Sequence, residues 1–127
     1  MPRMARPEFT CSVRVQYLPE QSQPSEGKYA FAYTVTIVNS GDITAQLVAR
    51  QWLITDAHGR EEEVRGLAVV GHQPLLKPGE SFEYTSGTRL ETPHGQMHGT
   101  FYCMTENAHS FETKVPEFQL VYPGLVH

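Results

Sequence analysis

A chain of 127 residues fits one domain, and a domain of that size buries roughly two thirds of the surface its unfolded form exposes, so a core needs no metal or disulfide staples. The formal net charge of −4, with no long basic run, lacks the Lys and Arg footprint that phosphate requires and excludes nucleic acid as a partner. Charged residues at 19%, with six Phe, six Tyr and one Trp, exclude disorder and coiled coil, and no apolar run approaches the roughly eighteen residues of a membrane insertion.

Met1 to Pro7 carries no apolar h-region, so no signal peptide is expected and the segment reads as a disordered N-terminal tail. Without a signal the expected location is the cytoplasm. Cys11 and Cys103 agree with a reducing compartment and read as small core or sheet-face residues rather than as a disulfide. From Phe9 the chain alternates: Phe9, Cys11, Val13, Val15 and Tyr17 share one face, with polar residues between them. That period of two marks a half-buried strand. Leu18 to Lys28, rich in Pro, Gln, Ser and Glu, is a predicted loop.

Tyr29 to Val38 is the clearest strand, with Tyr29, Phe31, Tyr33, Val35 and Ile37 on one face, and the turn residues Asn39-Ser40-Gly41-Asp42 end it. Ala45 to Thr55 is the next, with Val48, Trp52 and Ile54 on one face and Leu47, Ala49 and Leu53 on the other. Asp56 to Gly59 turns the chain into a short polar strand from Glu61 to Arg65, which predicts a hairpin. Gly66 to Pro78 has no helical period, and Pro74 and Pro78 forbid a helix there.

A strand through Phe82, Tyr84 and Ser86 follows, then a predicted loop from Thr88 to Gly95. Met97, Gly99, Phe101 and Cys103 alternate as a strand. Phe111 to Val115 and Phe118 to Tyr122 are predicted as two further strands, divided by Pro116. Seven to eight short strands at such spacing predict an all-β, immunoglobulin-like or fibronectin type III-like antiparallel β-sandwich, with Trp52 as its buried tryptophan.

The stretch GLAVVGHQPLLKPGESFEYTSG, Gly66 to Gly87, continues as LETPHGQMHGTFY, Leu90 to Tyr102. It resembles the bacterial ApaG family over almost the whole chain, from the first strand to Tyr122. The resemblance implies a fibronectin type III-like sandwich over residues 8–127, a single ApaG-type domain after the 1–7 tail. It also implies a link to cobalt resistance and magnesium efflux, and gene proximity to a diadenosine-tetraphosphate hydrolase. The same domain is appended to eukaryotic F-box proteins and to a DNA polymerase delta-interacting protein, which implies partner recognition. The family pattern G-x-G-x-x-G is met here by Gly66 and Gly71, but Ala68 stands at the middle glycine.

In dinucleotide folds such glycines precede a helix whose N-terminus holds phosphate. Here His72-Gln73-Pro74-Leu75-Leu76-Lys77-Pro78 cannot form that helix, and Glu91, a potential ribose partner, has no βαβ context. The motif is therefore either an anion nest of backbone amides or a glycine-bearing crossing between sheets. His58, His72, His94, His98, His109 and His127 are scattered, and the i, i+4 pair His94 and His98 would align ligands on a helix but not on a strand. Even with Glu91 and Glu106 no metal set is visible. Cys103, with His98 and His109 nearby, shares a face with Phe101 and reads as buried rather than nucleophilic. Ser86 lacks the G-x-S-x-G elbow. The run Glu61-Glu62-Glu63 alternates faces and reads as solvated edge protection.

These residues predict a non-catalytic binding module without cofactor, whose partner is another protein met through loops or a sheet edge. The candidate contact residues are Gly66, Ala68, Gly71, Gln73 and Pro74 in one stretch, and Ser86, Gly87, Thr92, Pro93, Gly95, Met97 and Gly99 in another. The alternative is a sensor that binds a nucleotide polyphosphate or a divalent cation weakly through the Gly66–Gly71 loop. A third reading is an enzyme acting on phosphorylated nucleotides.

Overall fold

Alternating apolar residues become eight strands in two antiparallel layers in a computed structural model that describes residues 5–125. The strands are β1 (Phe9–Tyr17), β2 (Tyr29–Asn39), β3 (Ala45–Asp56), β4 (Glu61–Leu67), β5 (Leu75–Leu76), β6 (Ser81–Leu90), β7 (His94–Thr105) and β8 (Ser110–Val121). A smaller sheet, ordered β1-β2-β6, faces a larger one ordered β4-β3-β7-β8, and β5 pairs with the start of β3. This is the predicted β-sandwich. The only helical turns among the described residues are single 3-10 turns such as Pro19–Gln21 and Pro24–Glu26.

Tyr29, Phe31, Tyr33, Val35 and Ile37 on β2 are all buried, as their alternation predicts. Opposite them sit Leu47, Trp52, Ile54, Met97, Phe101, Val115 and Leu120. Burying one such large apolar side chain stabilises the fold by about 1.5–3 kcal/mol. Trp52 is the hub: its ring centroid lies 5.5 Å from Tyr33, 5.8 Å from Phe101 and 5.9 Å from Phe118, each edge-on.

Four expectations are corrected. Leu47 lies inside with Trp52 and Ile54, not on the opposite face, because Val48 is an extra residue in the ladder: Leu47 pairs with Cys103 and Ala49 with Tyr102. A bulge of this kind reverses the phase of every later side chain. Pro116 does not divide two strands. It sits within β8 where the register slips between Val115 and Phe118, so its missing N–H falls where the ladder is already interrupted. Thr88 to Gly95 is not all loop, since β2 pairing carries β6 out to Leu90 opposite Tyr29 and β7 begins at His94. His94 is therefore a strand residue as well.

Of the predicted tail, residues 1–4 lie outside the described residues. The Arg6 amide donates to the Asp42 carboxylate, and its carbonyl accepts from the Asp42 amide at 3.1 Å.

Candidate functional site

The glycine loop and the turn after Leu90 occupy opposite ends of the sandwich, while Ser86, Gly87 and Gly99 lie in mid-strand between them. Gly66 stands opposite Arg50 at one end of β4, whereas the turn after Leu90 lies beside the Asp56–Arg60 hairpin, where Arg60 pairs with Glu91 at 3.1 Å. Glu91 is thus remote from the glycine loop.

From Gly66 to Pro74 the chain crosses from β4 to β5 with no helix after Gly71. Ala68, Val70 and Gly71 take positive φ of 67°, 49° and 80°. A left-handed conformation is costly for alanine and more so for a β-branched valine. The turn is held by its own bonds: Ala68 N–H donates to the Val48 carbonyl at 2.8 Å, and Val69 and His72 exchange both of theirs. Gln73 Nε2 also donates to the Val48 carbonyl, the Gln73 carbonyl accepts from Gln46 Nε2, and the Pro74 carbonyl accepts from the Leu47 amide. Three of the loop's amides are therefore spent within the chain. Val69 is buried and pins the loop to the core, while Val70 points out at 57% exposure.

The second stretch is mostly interior. Thr92 is buried; its hydroxyl accepts from the Ala57 amide and donates to the His94 carbonyl. The Pro93 carbonyl accepts from the Tyr122 amide, and Gly95, Met97 and Gly99 are buried under the core. Ser86 faces inward beside Tyr33, and Gly87 is exposed on the outer face of β6.

The remaining titratable candidates do not converge. Burial, reinforced for Cys11 by the neighbouring Cys103, pushes both thiols up to about 12; Cys103 is moderated by Thr113, and both are free. That is opposite to the shift an attacking thiolate needs. His94 and His98 share the outer face of β7, about 13 Å apart along the strand. No three His, Cys, Asp or Glu side chains converge among the described residues, and His127 lies outside them. Glu63 is held below the usual carboxylate range by Arg65 and then Gln51, while Glu62 turns the other way, toward the gap between the sheets.

Two features escaped the sequence reading. The first is an apolar patch on the outer face of the larger sheet, at the glycine-loop end. Register places Leu75, Gln46 and Met104 in one row and Leu67, Ala49 and Tyr102 in the next. Leu67 is 74% exposed and Leu75 61%, and the loop that joins their strands carries the exposed Val70. Outward parity in the strands was the available signal. The second is a groove of about 510 Å³ between the sheets where the β4 and β6 edges stand apart, lined by Arg50, Trp52, Tyr33 and Ser86 among others. Arg50 shares the parity of Trp52 and Ile54, so its inward position could have been read.

A family model described as ApaG domain matches residues 19–105. Protein ApaG of Ralstonia nicotianae is 56% identical over 98% of this chain and all of its own, and that of Acidovorax sp. is 55% identical over 92% of this chain and 87% of its own. The crystal structure of a Bordetella pertussis protein assigned as ApaA superposes with a TM-score of 0.90 at 55% identity, covering 92% of this chain and 95% of that one.

Proposed function

The chain belongs to the ApaG domain family, and from that premise we propose that it is a non-catalytic module that recognises another protein. The observation that carries this reading is the Leu67, Leu75, Tyr102 and Met104 patch, which displays large apolar side chains in neighbouring rows on the outer face of the larger sheet. Scattered exposed apolar residues are ordinary, but a contiguous group marks an interaction surface. The partner presents an apolar surface of its own and sits against the end of the sheet that carries the Gly66–Pro74 loop. The family-level tie to cobalt resistance and magnesium efflux then runs through that partner, not through an ion held by this chain.

The test is paired capture from cell lysate with the wild type, a Leu67→Asp/Leu75→Asp variant and a Thr85→Lys variant on the opposite outer face. The reading expects one partner retained by the wild type and Thr85→Lys and lost by the double variant, with all three equally folded by circular dichroism. A partner retained by the double variant contradicts it, as does saturable binding of a nucleotide polyphosphate or a divalent cation at the glycine loop with no protein partner.

A further inference from the structure

We propose that the groove between the β4 and β6 edges binds a small organic monocarboxylate with an apolar body, anchored by the Arg50 guanidinium and the Trp52 indole N–H. This site is distinct from the outer apolar patch and opens on the other side of β3.

An arginine at a core-facing position is the anomaly to explain. Arg50 follows the Val48 bulge, points between the sheets with Trp52 and Ile54, and is only half-buried. No carboxylate lies within ion-pair distance of it among the described residues. Its Nη1 donates to the carbonyls of Leu67 at 3.0 Å and Ala68 at 2.8 Å, and its guanidinium lies against Gly66, where a Cβ would stand 2.8 Å from Nη1. Those carbonyls stand at the loop end of the groove. They fix the guanidinium plane and leave the opposite Nε–Nη2 edge, the fork that matches a carboxylate in bidentate fashion.

A second, independent donor lies in the same cavity. Trp52 is 2% exposed, and its Nε1 is buried with no hydrogen-bond partner among the described residues. Its Cε3 edge overlies Gly99 on β7, so the Nε1 edge turns toward β4 and the groove. A buried indole N–H without an acceptor is expensive, and a ligand oxygen would satisfy it. The walls between these donors are Phe31, Tyr33, Ile54 and Val64. Glu62 and Arg89 also line the groove and offset one another, so Arg50 is left there as the one uncompensated cation among the described residues, matched by a single carboxylate rather than by a dianionic phosphate. The volume of about 510 Å³ suits a small organic molecule.

The test is an NMR titration of the wild type with phenylacetate, read at the indole N–H of the one tryptophan. A saturable downfield shift is expected, with a dissociation constant below about 1 mM. The Arg50 Nε–H should move with it. 2-Phenylethanol, which has the body without the charge, and inorganic phosphate, which has the charge without the body, should leave both signals in place. Arg50→Lys keeps the charge but loses the fork, and binding should weaken by about tenfold or more. Leu75→Asp, on the outer patch and away from Arg50, should bind phenylacetate as the wild type does. An indole signal unmoved by phenylacetate overturns the proposal, as does an equal response to 2-phenylethanol or to phosphate, or undiminished binding by Arg50→Lys. Should Arg50→Lys fail to fold, an Arg50 Nε–H that stays still in the saturated wild type is the overturning result.

Discussion

Gly99 is the floor on which Trp52 rests: a Cβ at Gly99 would stand 2.6 Å from Trp52 Cε3 and 2.3 Å from the Gln51 carbonyl oxygen. Neither backbone nor a packed indole can yield that much. Gly99→Ala should therefore cost about 1–3 kcal/mol, the usual penalty of overpacking, read as a lower urea midpoint with an unchanged slope. A neutral substitution would show that the ring can shift.

The glycine loop stores strain at Ala68 and Val70, which hold φ of 67° and 49°. Ala68→Gly and Val70→Gly should each stabilise by about 0.5–1 kcal/mol, because relief of a left-handed side chain exceeds the added freedom of the unfolded glycine. Val70→Gly should gain more. Thermal denaturation of both variants measures this, and a loss of stability in either contradicts the strain.

Thr92 joins two turns through one hydroxyl, bonded to the Ala57 amide at 3.0 Å and the His94 carbonyl at 2.8 Å. Thr92→Val keeps the shape and removes both bonds, at an expected cost of about 1–3 kcal/mol in chemical denaturation.

Cys11 and Cys103 rise from 9.0 to about 12 on folding, chiefly through burial. The native state thus keeps protons that the unfolded chain releases, so this contribution is complete below pH 9 and is lost as pH rises from there toward 12. Stability should fall across that window, and the decline should flatten in Cys11→Ala/Cys103→Ala. Thiol reagents should modify Cys103 no faster than the native protein opens, and the half-buried Cys11 sooner.

What could be read from sequence was set by strict alternation. In β2 every second residue from Tyr29 to Ile37 is large, apolar and buried, so face and strand followed directly. Val48 and Pro116 show the limit: a bulge inserts one residue without any local signature, since it depends on the partner strand's register. Arg50 was legible in principle, since it shares the parity of Trp52 and Ile54 beyond the bulge, but the gap between the β4 and β6 edges that makes it a groove is set by how the two sheets pack. The crossing after β4 falls within the glycine stretch, but Gly66 itself is a strand residue paired with Arg50 rather than part of the loop. The loop's geometry was not legible, because Ala68, at positive φ, is held by bonds to Val48 and Arg50, far away in sequence, and Val70 sits inside the turn closed by the Val69–His72 pair.

The most direct measurement of the recognition surface is hydrogen exchange of the protein with and without its captured partner. Slowed exchange should concentrate at the end of β4, at Leu75–Leu76, in the 68–74 loop and around Tyr102–Met104. Slowed exchange confined instead to the 57–60 and 91–93 turns, or to β1, would contradict a partner docked on the outer apolar patch.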